Sequence, residues 1–290
     1  MSPRGLILVT GAAGKLGVVA CRALQSRGWR VRALRHEREP VAYDELIDGA
    51  LEDIEALIAA TRDTEAVLHL AAATHARRSA VYERINVSGT ANLIEALRQR
   101  GKGRLVLVST RSISASGGSY SSSKGEAERI VRSSGVPYTI VRLPEVYGTG
   151  GAEGVDRLIA LARSGRRIPL VAADSAELCP AHVDDVVAAL VRAADAPQSE
   201  HKTYTLAGEC MTPRQFARIC VETFGTASSI VDVPIPAVRV LTTVSRFLPI
   251  GVYPDQLARL LAPKPEPSPD ALPDLGFSPR SVRVGLAAFC

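Results

Sequence analysis

The sequence predicts an α/β fold, a doubly wound parallel sheet with a smaller, irregular C-terminal lobe. Short apolar runs rich in β-branched residues alternate with longer amphipathic segments through the first half of the chain. These runs are apolar along their whole length, which is typical of strands buried on both faces of a parallel sheet. After about residue 148 the alternation becomes irregular. The second half therefore adds a smaller lobe to the sheet.

The alternation in the first half defines each element. The predicted strands are Leu6–Thr10, Trp29–Leu34, Ala66–Leu70, Arg104–Ser109 and Tyr138–Arg142. The predicted helices are Leu16–Ser26, Asp53–Ala60, Val81–Arg98 and Ser123–Ser133. Because crossovers between parallel strands are right-handed, this order places helices on both faces of the sheet.

The second half divides between the sheet and the lobe. Helices are predicted at Val155–Arg163 and Thr212–Phe224, where Thr212 precedes Pro213 as an N-cap, and the chain is expected to return to the main sheet near Val183–Ala194. The domain prediction assigns 1–148 and the returning segment 176–205 to the sheet domain, and 149–175 and 206–290 to the lobe. In the lobe, the apolar segment Pro234–Tyr253 is expected to pack in the ordinary way, and proline-rich Pro263–Pro273 is expected to be an extended connector.

Composition excludes several classes of protein. The chain has 290 residues and a net charge of +5, and its basic excess is almost entirely arginine scattered along the chain. Without a basic stripe, a nucleic-acid partner is not expected. The five cysteines form no CxxC pair and no metal-ligand spacing, so reduced thiols and no metal are expected. No leader and no membrane span are evident, so a cytoplasmic protein without a membrane partner is expected.

The strongest motif is the glycine-rich turn directly after the first strand. Gly11 permits a sharp turn, Gly14 lets the backbone approach a pyrophosphate, and Gly17 permits close helix–strand packing. The helix that follows offers free N–H groups to phosphates. The motif predicts a Rossmann-type dinucleotide site that includes Gly11, Ala13, Gly14, Lys15, Leu16 and Gly17.

The end of the second strand indicates which dinucleotide binds. An NAD enzyme usually has an acidic residue there, whereas this chain has Arg35. A cation can accept the 2′-phosphate of NADP, and Lys15 could add positive charge. NADP is therefore preferred and NAD is the alternative; an exposed loop arginine is the simpler explanation of Arg35.

A second motif carries acid–base chemistry. Tyr120 and Lys124 are four residues apart at a predicted helix start and share one face. An ammonium beside a phenol lowers the phenol pKa and makes it a usable acid or base. Thr110 ends the preceding strand, where its hydroxyl can bind a substrate oxygen.

With these motifs the chain resembles an extended short-chain dehydrogenase/reductase of the NAD-dependent epimerase/dehydratase group. The resemblance also rests on the segments Leu70–Ala72, Asn86–Asn92, Arg142–Gly148 and His182–Val186. It implies that Thr110, Tyr120 and Lys124 are catalytic, and that Lys124 also holds the nicotinamide ribose. Further implied cofactor contacts are Leu51, Leu70, Ala71, Ala72, Asn86 and Pro144. Implied substrate contacts are Thr74, Glu145 and Val146. A small-molecule substrate and a homodimer are also implied.

Several positions depart from the pattern of nucleotide-sugar members. The gap between Thr110 and Tyr120 is short, and Glu145 replaces the asparagine that meets a substrate diphosphate. The run before His182 lacks the arginine that pairs with that diphosphate, and Ala50 replaces an adenine-binding aspartate. Adenine recognition would then depend on the backbone near Leu51 or on Asp48. A carboxylate at Glu145 repels phosphate, so a diphosphate substrate is disfavoured.

The sequence therefore predicts an oxidoreductase that uses NADPH to reduce a carbonyl, or oxidises the matching secondary alcohol. The first alternative is a nucleotide-sugar epimerase or dehydratase with retained NAD. The second is a non-catalytic scaffold that senses a dinucleotide.

Overall fold

A parallel sheet of seven strands forms the centre of the molecule. The computed structural model describes residues 4–100, 103–151, 154–245 and 253–289. The strands in these ranges are β1 (Leu6–Thr10), β2 (Arg30–Arg35), β3 (Glu45–Asp48), β4 (Thr64–His69), β5 (Arg104–Thr110), β6 (Tyr138–Leu143), β7 (Val146–Tyr147), β8 (Ile168–Val171), β9 (Ala181–His182), β10 (Lys202–Thr205) and β11 (Ile230–Val233). The central sheet has the order β10-β6-β5-β4-β1-β2-β3. This architecture confirms the predicted doubly wound α/β class.

Helices cover both faces of the sheet and build the lobe. Those of the described ranges are α1 (Lys15–Ser26), α2 (Ile54–Thr61), α3 (Ser79–Tyr82), α4 (Gly89–Arg100), α5 (Gly118–Arg132), α6 (Gly154–Arg163), α7 (Val183–Ala193), α8 (Pro213–Phe224), α9 (Ile235–Val244), α10 (Gln256–Leu261), α11 (Ala271–Leu275) and α12 (Val282–Ala287). A π-helical turn, Glu83–Ser88, joins α3 to α4.

The alternation of side chains along β1 builds two apolar layers. Ile7 and Val9 belong to the layer beneath α1 and α7, whereas Leu8 belongs to the layer beneath α2 and α4. All five residues of β1 are buried, as the continuous apolar run predicts. The parallel register brings the carboxyl ends of β1, β4, β5 and β6 to one edge. Loops at this edge therefore carry the candidate site.

The lobe differs from the prediction in two places. The proline-rich segment ends in the short helix α11, which contains Pro273, so Pro263–Pro273 is not wholly extended. Helix α9 does not pack in the ordinary way, because Thr242 is its one buried residue while Val240 and Leu241 are exposed. Residues 246–252 of the predicted segment lie outside the described residues.

The cysteines also correct a prediction. Cys179 and Cys210 form a disulfide, so the expectation of reduced thiols is wrong for this pair. The chain folds the loop before β9 against the loop after β10, where Leu178 and Met211 form an antiparallel bridge. Cys21 and Cys220 are free and buried, as expected, and Cys290 lies outside the described residues.

None of the helices in the described ranges combines the length and hydropathy needed to cross a membrane. The side chains of Glu177, Cys179 and Cys210 cluster closely enough to hold a metal ion. The disulfide occupies both sulfurs, so this cluster has no thiolate to offer while the disulfide is intact.

Candidate active site

The glycine turn after β1 packs against the loop after β4. Gly11 has φ +73°, a conformation that favours glycine, and a Cβ there would lie 2.7 Å from the Ala71 nitrogen. The hydroxyl of Thr10 accepts the N–H of Ala71 at 3.3 Å. The backbone of Leu70 and Ala71 is therefore held beside the glycine motif, as the sequence predicts for a cofactor cleft.

The start of α1 is suited to an anion. Gly14 is the N-cap residue and provides no side-chain cap, and the first turn carries no acidic residue. Its N–H groups are thus open to the pyrophosphate of a dinucleotide, and Gly17 gives α1 its close approach to the turn. These residues fit the predicted cofactor, which when bound would supply the hydride for carbonyl reduction.

The structure also places Ala13, Leu16 and Lys15, the other residues predicted from the glycine motif. Ala13 is half-buried in the turn, and Leu16 packs against the core layer beneath α1. Lys15 reaches the glycine-rich run 148–151, because a Cβ at Gly151 would lie 2.9 Å from its Nζ. The same run is held by Asp156, which accepts the N–H of Gly151 at 2.9 Å.

Arg35 lies at the carboxyl end of β2, as predicted, and its guanidinium is paired with acidic side chains. It donates to both carboxylate oxygens of Asp48, on the neighbouring strand β3, and to Glu39. The hydrogen bond from Arg35 lowers the pKa of the Asp48 carboxyl, and the same interaction lowers that of Glu39. A 2′-phosphate at Arg35 would therefore compete with two carboxylates.

Leu51 and Asn86 support the cleft through contacts within the protein. The Leu51 carbonyl accepts from Asn92 at 2.9 Å. The Asn86 amide accepts the N–H of Ala73 at 2.8 Å and donates to Ser123 Oγ at 2.9 Å. Asn86 thus ties the loop Leu70–Ala73 to the helix that carries Tyr120, and its predicted role in cofactor binding is joined by a structural one.

Thr110, Tyr120 and Lys124 come together between β5 and α5. Helix α5 begins at Gly118, five residues before the predicted start, so Tyr120 lies in its first turn. Tyr120 is 6% exposed, and burial raises the pKa of its phenol, which the charge of Arg259 and the nearby Thr110 side chain lower by less. The phenol is therefore protonated near neutrality and available as an acid. The set can therefore bind a carbonyl oxygen and deliver a proton to it.

Lys124 is buried one turn along the helix and donates to the Val108 carbonyl at 2.8 Å. Burial lowers the pKa of its ammonium to about 8, and the charge of Glu128 opposes that shift. Lys124 thus lies at the carboxyl end of β5, where the resemblance places the nicotinamide ribose. Its predicted influence on the Tyr120 pKa stays a prediction.

Sequence reasoning missed the group that covers Tyr120. The guanidinium carbon of Arg259 lies 4.0 Å from the centroid of the Tyr120 ring. Arg259 belongs to α10 in the C-terminal lobe, 139 positions after Tyr120, so no local spacing could have connected the two. The sequence around Arg259 carries no motif that specifies a partner.

A cavity of about 370 Å³ opens beside Thr110 and Pro144. Its walls combine polar side chains, among them His75, Ser112, Gln256 and Lys264, with an aliphatic part that includes Leu143, Val155, Leu158, Leu170, Leu178 and Leu260. Glu145 lines it and accepts the N–H of Cys179 at 3.2 Å. Of the other predicted substrate contacts, Thr74 borders the site through its carbonyl, which binds Arg259. Val146 pairs in β7 and is not among the cavity residues.

The family model that matches this chain is described as the NAD dependent epimerase/dehydratase family and covers residues 7–207. The chain belongs to the NAD-dependent epimerase/dehydratase family. The matched residues include the glycine turn, the Thr110–Tyr120–Lys124 set and strand β10. Resemblance and measured similarity therefore agree.

Two curated relatives in this family are named as reductases. Ceramide reductase of Caulobacter vibrioides is 33% identical over 193 residues, which is 65% of this chain and 60% of that protein. The 2-alkyl-3-oxoalkanoate reductase of Stenotrophomonas maltophilia is 32% identical over 209 residues, 63% of each chain. The chain thus spans less than two thirds of these relatives. Their names describe reductases, and the family match places this chain in a group of NAD-dependent enzymes.

Solved structures of the same fold include sugar-nucleotide enzymes. UDP-glucose 4-epimerase of Thermotoga maritima superposes with a TM-score of 0.79 at 20% identity, covering 97% of this chain and 96% of that one. DesIV, the dTDP-glucose 4,6-dehydratase of Streptomyces venezuelae with NAD bound, gives 0.77 at 22% identity, covering 98% and 95%. At these identities the likeness establishes the fold.

Proposed function

We propose that this chain is an NADPH-dependent reductase that converts a ketone on a largely apolar substrate into a secondary alcohol. The observation that carries the proposal is the position of Thr110. Its side chain lies near enough to the Tyr120 phenol to lower the pKa of that group, and it lines the cavity beside Pro144. A carbonyl oxygen bound there would be beside the proton donor, with its apolar body against the leucines of the cavity wall.

The Glu145 carboxylate supports a substrate without a diphosphate, whereas two cations line the same cavity. Glu145 places a carboxylate in the wall, and a carboxylate repels phosphate groups. Arg259 and Lys264 line the same cavity, but Arg259 is stacked on Tyr120 and bonded to the Thr74 carbonyl. The two reductase relatives support the same direction of reaction, since their names describe reduction.

A chain-length series tests this proposal. We expect the purified protein to oxidise NADPH in the presence of methyl ketones, with kcat/KM rising about fourfold for each methylene that enters the cavity, because burying one methylene contributes about 0.8 kcal/mol. The measurement is the loss of reduced nicotinamide absorbance with time.

The control is a panel of UDP-, GDP- and dTDP-sugars incubated without added cofactor. Epimerisation or dehydration of any of them, together with no ketone reduction, would overturn the proposal in favour of the sugar-nucleotide alternative. A kcat/KM that is independent of chain length would contradict the apolar substrate.

The NADP preference is proposed on Arg35, with NAD as the alternative. Replacing Arg35 by serine is expected to raise the KM for NADPH about tenfold to a hundredfold, because charge-assisted hydrogen bonds to the 2′-phosphate are lost. The KM for NADH should change little. Steady-state kinetics with both cofactors measure the ratio.

Asp48→Asn is the matched variant, and it should change the KM for NADPH in the opposite direction. It removes one carboxylate that competes for Arg35, so the KM for NADPH should fall. An unchanged ratio of the two KM values in both variants would contradict a role of Arg35 in cofactor selection.

A further inference from the structure

The C-terminal segment 253–261 folds back over the catalytic tyrosine. Its Arg259 stacks on the Tyr120 ring at 4.0 Å and donates to the Thr74 carbonyl at 2.9 Å. The Arg259 carbonyl in turn accepts from Lys264 Nζ. The loop after β4 thus holds the guanidinium above the ring, and the Lys264 side chain holds the backbone of Arg259.

A second residue of the segment fixes the same approach. Asp255 is buried, and its carboxylate accepts the backbone N–H of Tyr120 at 3.3 Å and the hydroxyl of Tyr82 at 3.3 Å. Gly118 makes room for this contact, because a Cβ there would lie 2.9 Å from the Asp255 Cβ and its φ is +79°. The start of α5 is therefore shaped to receive the segment.

The stacked cation is placed where it can act on the phenol. Cation–π attraction strengthens when both partners are desolvated, and Tyr120 is almost fully buried. Lys124, the cation that the sequence pattern favours, donates to the Val108 carbonyl. In the part of the chain that the structure describes, Arg259 is the cation recorded over this ring.

We propose that Arg259 is a positioning residue for Tyr120, and that its guanidinium holds the ring against Thr110 and stabilises the phenolate that proton donation leaves behind. The proton passes from the phenol to the substrate oxygen, and water returns a proton to the phenolate when the product leaves. The role in turnover rests on the proposed function, whereas the effect on the phenol can be measured without substrate.

The charges around Tyr120 agree with this role. Burial raises the pKa of the phenol, the positive charge of Arg259 and the Thr110 hydrogen bond lower it, and the carboxylate of Asp255 raises it. Tyr82 is a further titratable neighbour of Tyr120, and the two rings meet edge-on with 5.8 Å between their centroids. Lys124 lies on the same helix as Tyr120, and His75 lies on the cavity wall. Arg259 and Asp255 have opposite effects on the pKa of the Tyr120 phenol. Removing each charge should therefore shift that pKa in opposite directions.

The experiment is an NMR titration of Tyr120 in the protein without cofactor, labelled with 13C-tyrosine and assigned with Tyr120→Phe. Arg259→Met should raise the pKa of the Tyr120 phenol and Asp255→Asn should lower it, while Arg259→Lys should stay closer to the original protein. Arg239→Met, which removes an exposed arginine from the neighbouring helix α9, is the control for net charge and should have no effect.

Kinetics provide the second readout. In alcohol oxidation the phenolate is the base, so Arg259→Met should lower kcat at neutral pH about tenfold, consistent with the strength of a desolvated cation–π contact, and move the rising limb of the pH profile to higher pH. Shifts of the same sign in Arg259→Met and Asp255→Asn, or no shift in folded Arg259→Met, would overturn the proposal. Correct phenol shifts without ketone or alcohol turnover would leave Arg259 supported and contradict the proposed function instead.

Discussion

Replacing Tyr120 by phenylalanine is expected to lower kcat for ketone reduction about 10²- to 10⁴-fold, the usual contribution of a positioned general acid. The variant removes the proposed proton donor but keeps the ring, so the contacts with Arg259 and Tyr82 remain. The KM for substrate should change much less than kcat. Steady-state kinetics at neutral pH, with circular dichroism to confirm the fold, measure both quantities.

Tyr138→Phe is the matched control. Tyr138 begins β6, at the amino edge of the sheet and away from the carboxyl edge that carries the site, and it is also buried. The control should retain the original kcat. Turnover within a few-fold of the original enzyme in Tyr120→Phe would show that another group supplies the proton.

The central sheet could be predicted because its signals are local. The run Leu6–Thr10 is continuously apolar, and the strand in the structure has the same bounds. The N-cap at Thr212 was also predictable, since its hydroxyl and the Gln215 side chain form a capping box within four residues.

Elements that depend on partners far along the chain could not be predicted. Strand β3 has four residues and lies at the sheet edge, where Arg32 and Arg30 of β2 pair with its Glu45. Helix α5 starts at Gly118 without a side-chain cap of its own, and the Tyr120 N–H is bound by Asp255. Local sequence therefore predicted a helix start at Ser123. The observed start at Gly118 includes Tyr120, whose N–H is bound by a residue 135 positions away.

The same distinction applies to the site. Residues that act through a local motif, such as Gly11 and the Tyr120–Lys124 pair, were identified with their neighbours in the fold. The contact between Arg259 and Tyr120 and the Cys179–Cys210 disulfide join residues that are distant in the sequence. No local sequence period could therefore predict them. The ion pairs of Arg35 were missed for a related reason, because they need the neighbouring strand β3.

Glu128 anchors helix α5, and no sequence pattern singled it out. Its side chain is 1% exposed, and it accepts hydrogen bonds from Ser109 on β5 at 2.6 Å and from Arg142 on β6 at 2.7 and 2.9 Å. Arg132 donates to the same carboxylate from the next turn of α5. The position of α5, and with it that of Tyr120 and Lys124, depends on this network.

Arg142→Met is expected to destabilise the protein by about 3 kcal/mol, the lower end of the cost of leaving a buried charge without its partner, because Arg132 still neutralises part of Glu128. The free energy of unfolding from urea denaturation, at an unchanged dependence on urea concentration, measures the effect. The double variant Arg142→Met with Glu128→Leu removes both charges and should recover much of the loss. Equal losses in the single and double variants would contradict an electrostatic cause.

The dependence of the free energy of unfolding on acidic pH provides a second test of the same network. Burial raises the pKa of Glu128, but the hydrogen bonds from Arg142 and Ser109 outweigh it and hold the pKa below its ordinary value. A lowered folded-state pKa contributes stability above the unfolded value, and that contribution is lost as the pH falls through the folded value. Arg142→Met raises the folded-state pKa toward the unfolded value, so the loss of stability on acidification should be smaller and should end at higher pH than in the original protein. The double variant has no Glu128 to titrate and should lack this step.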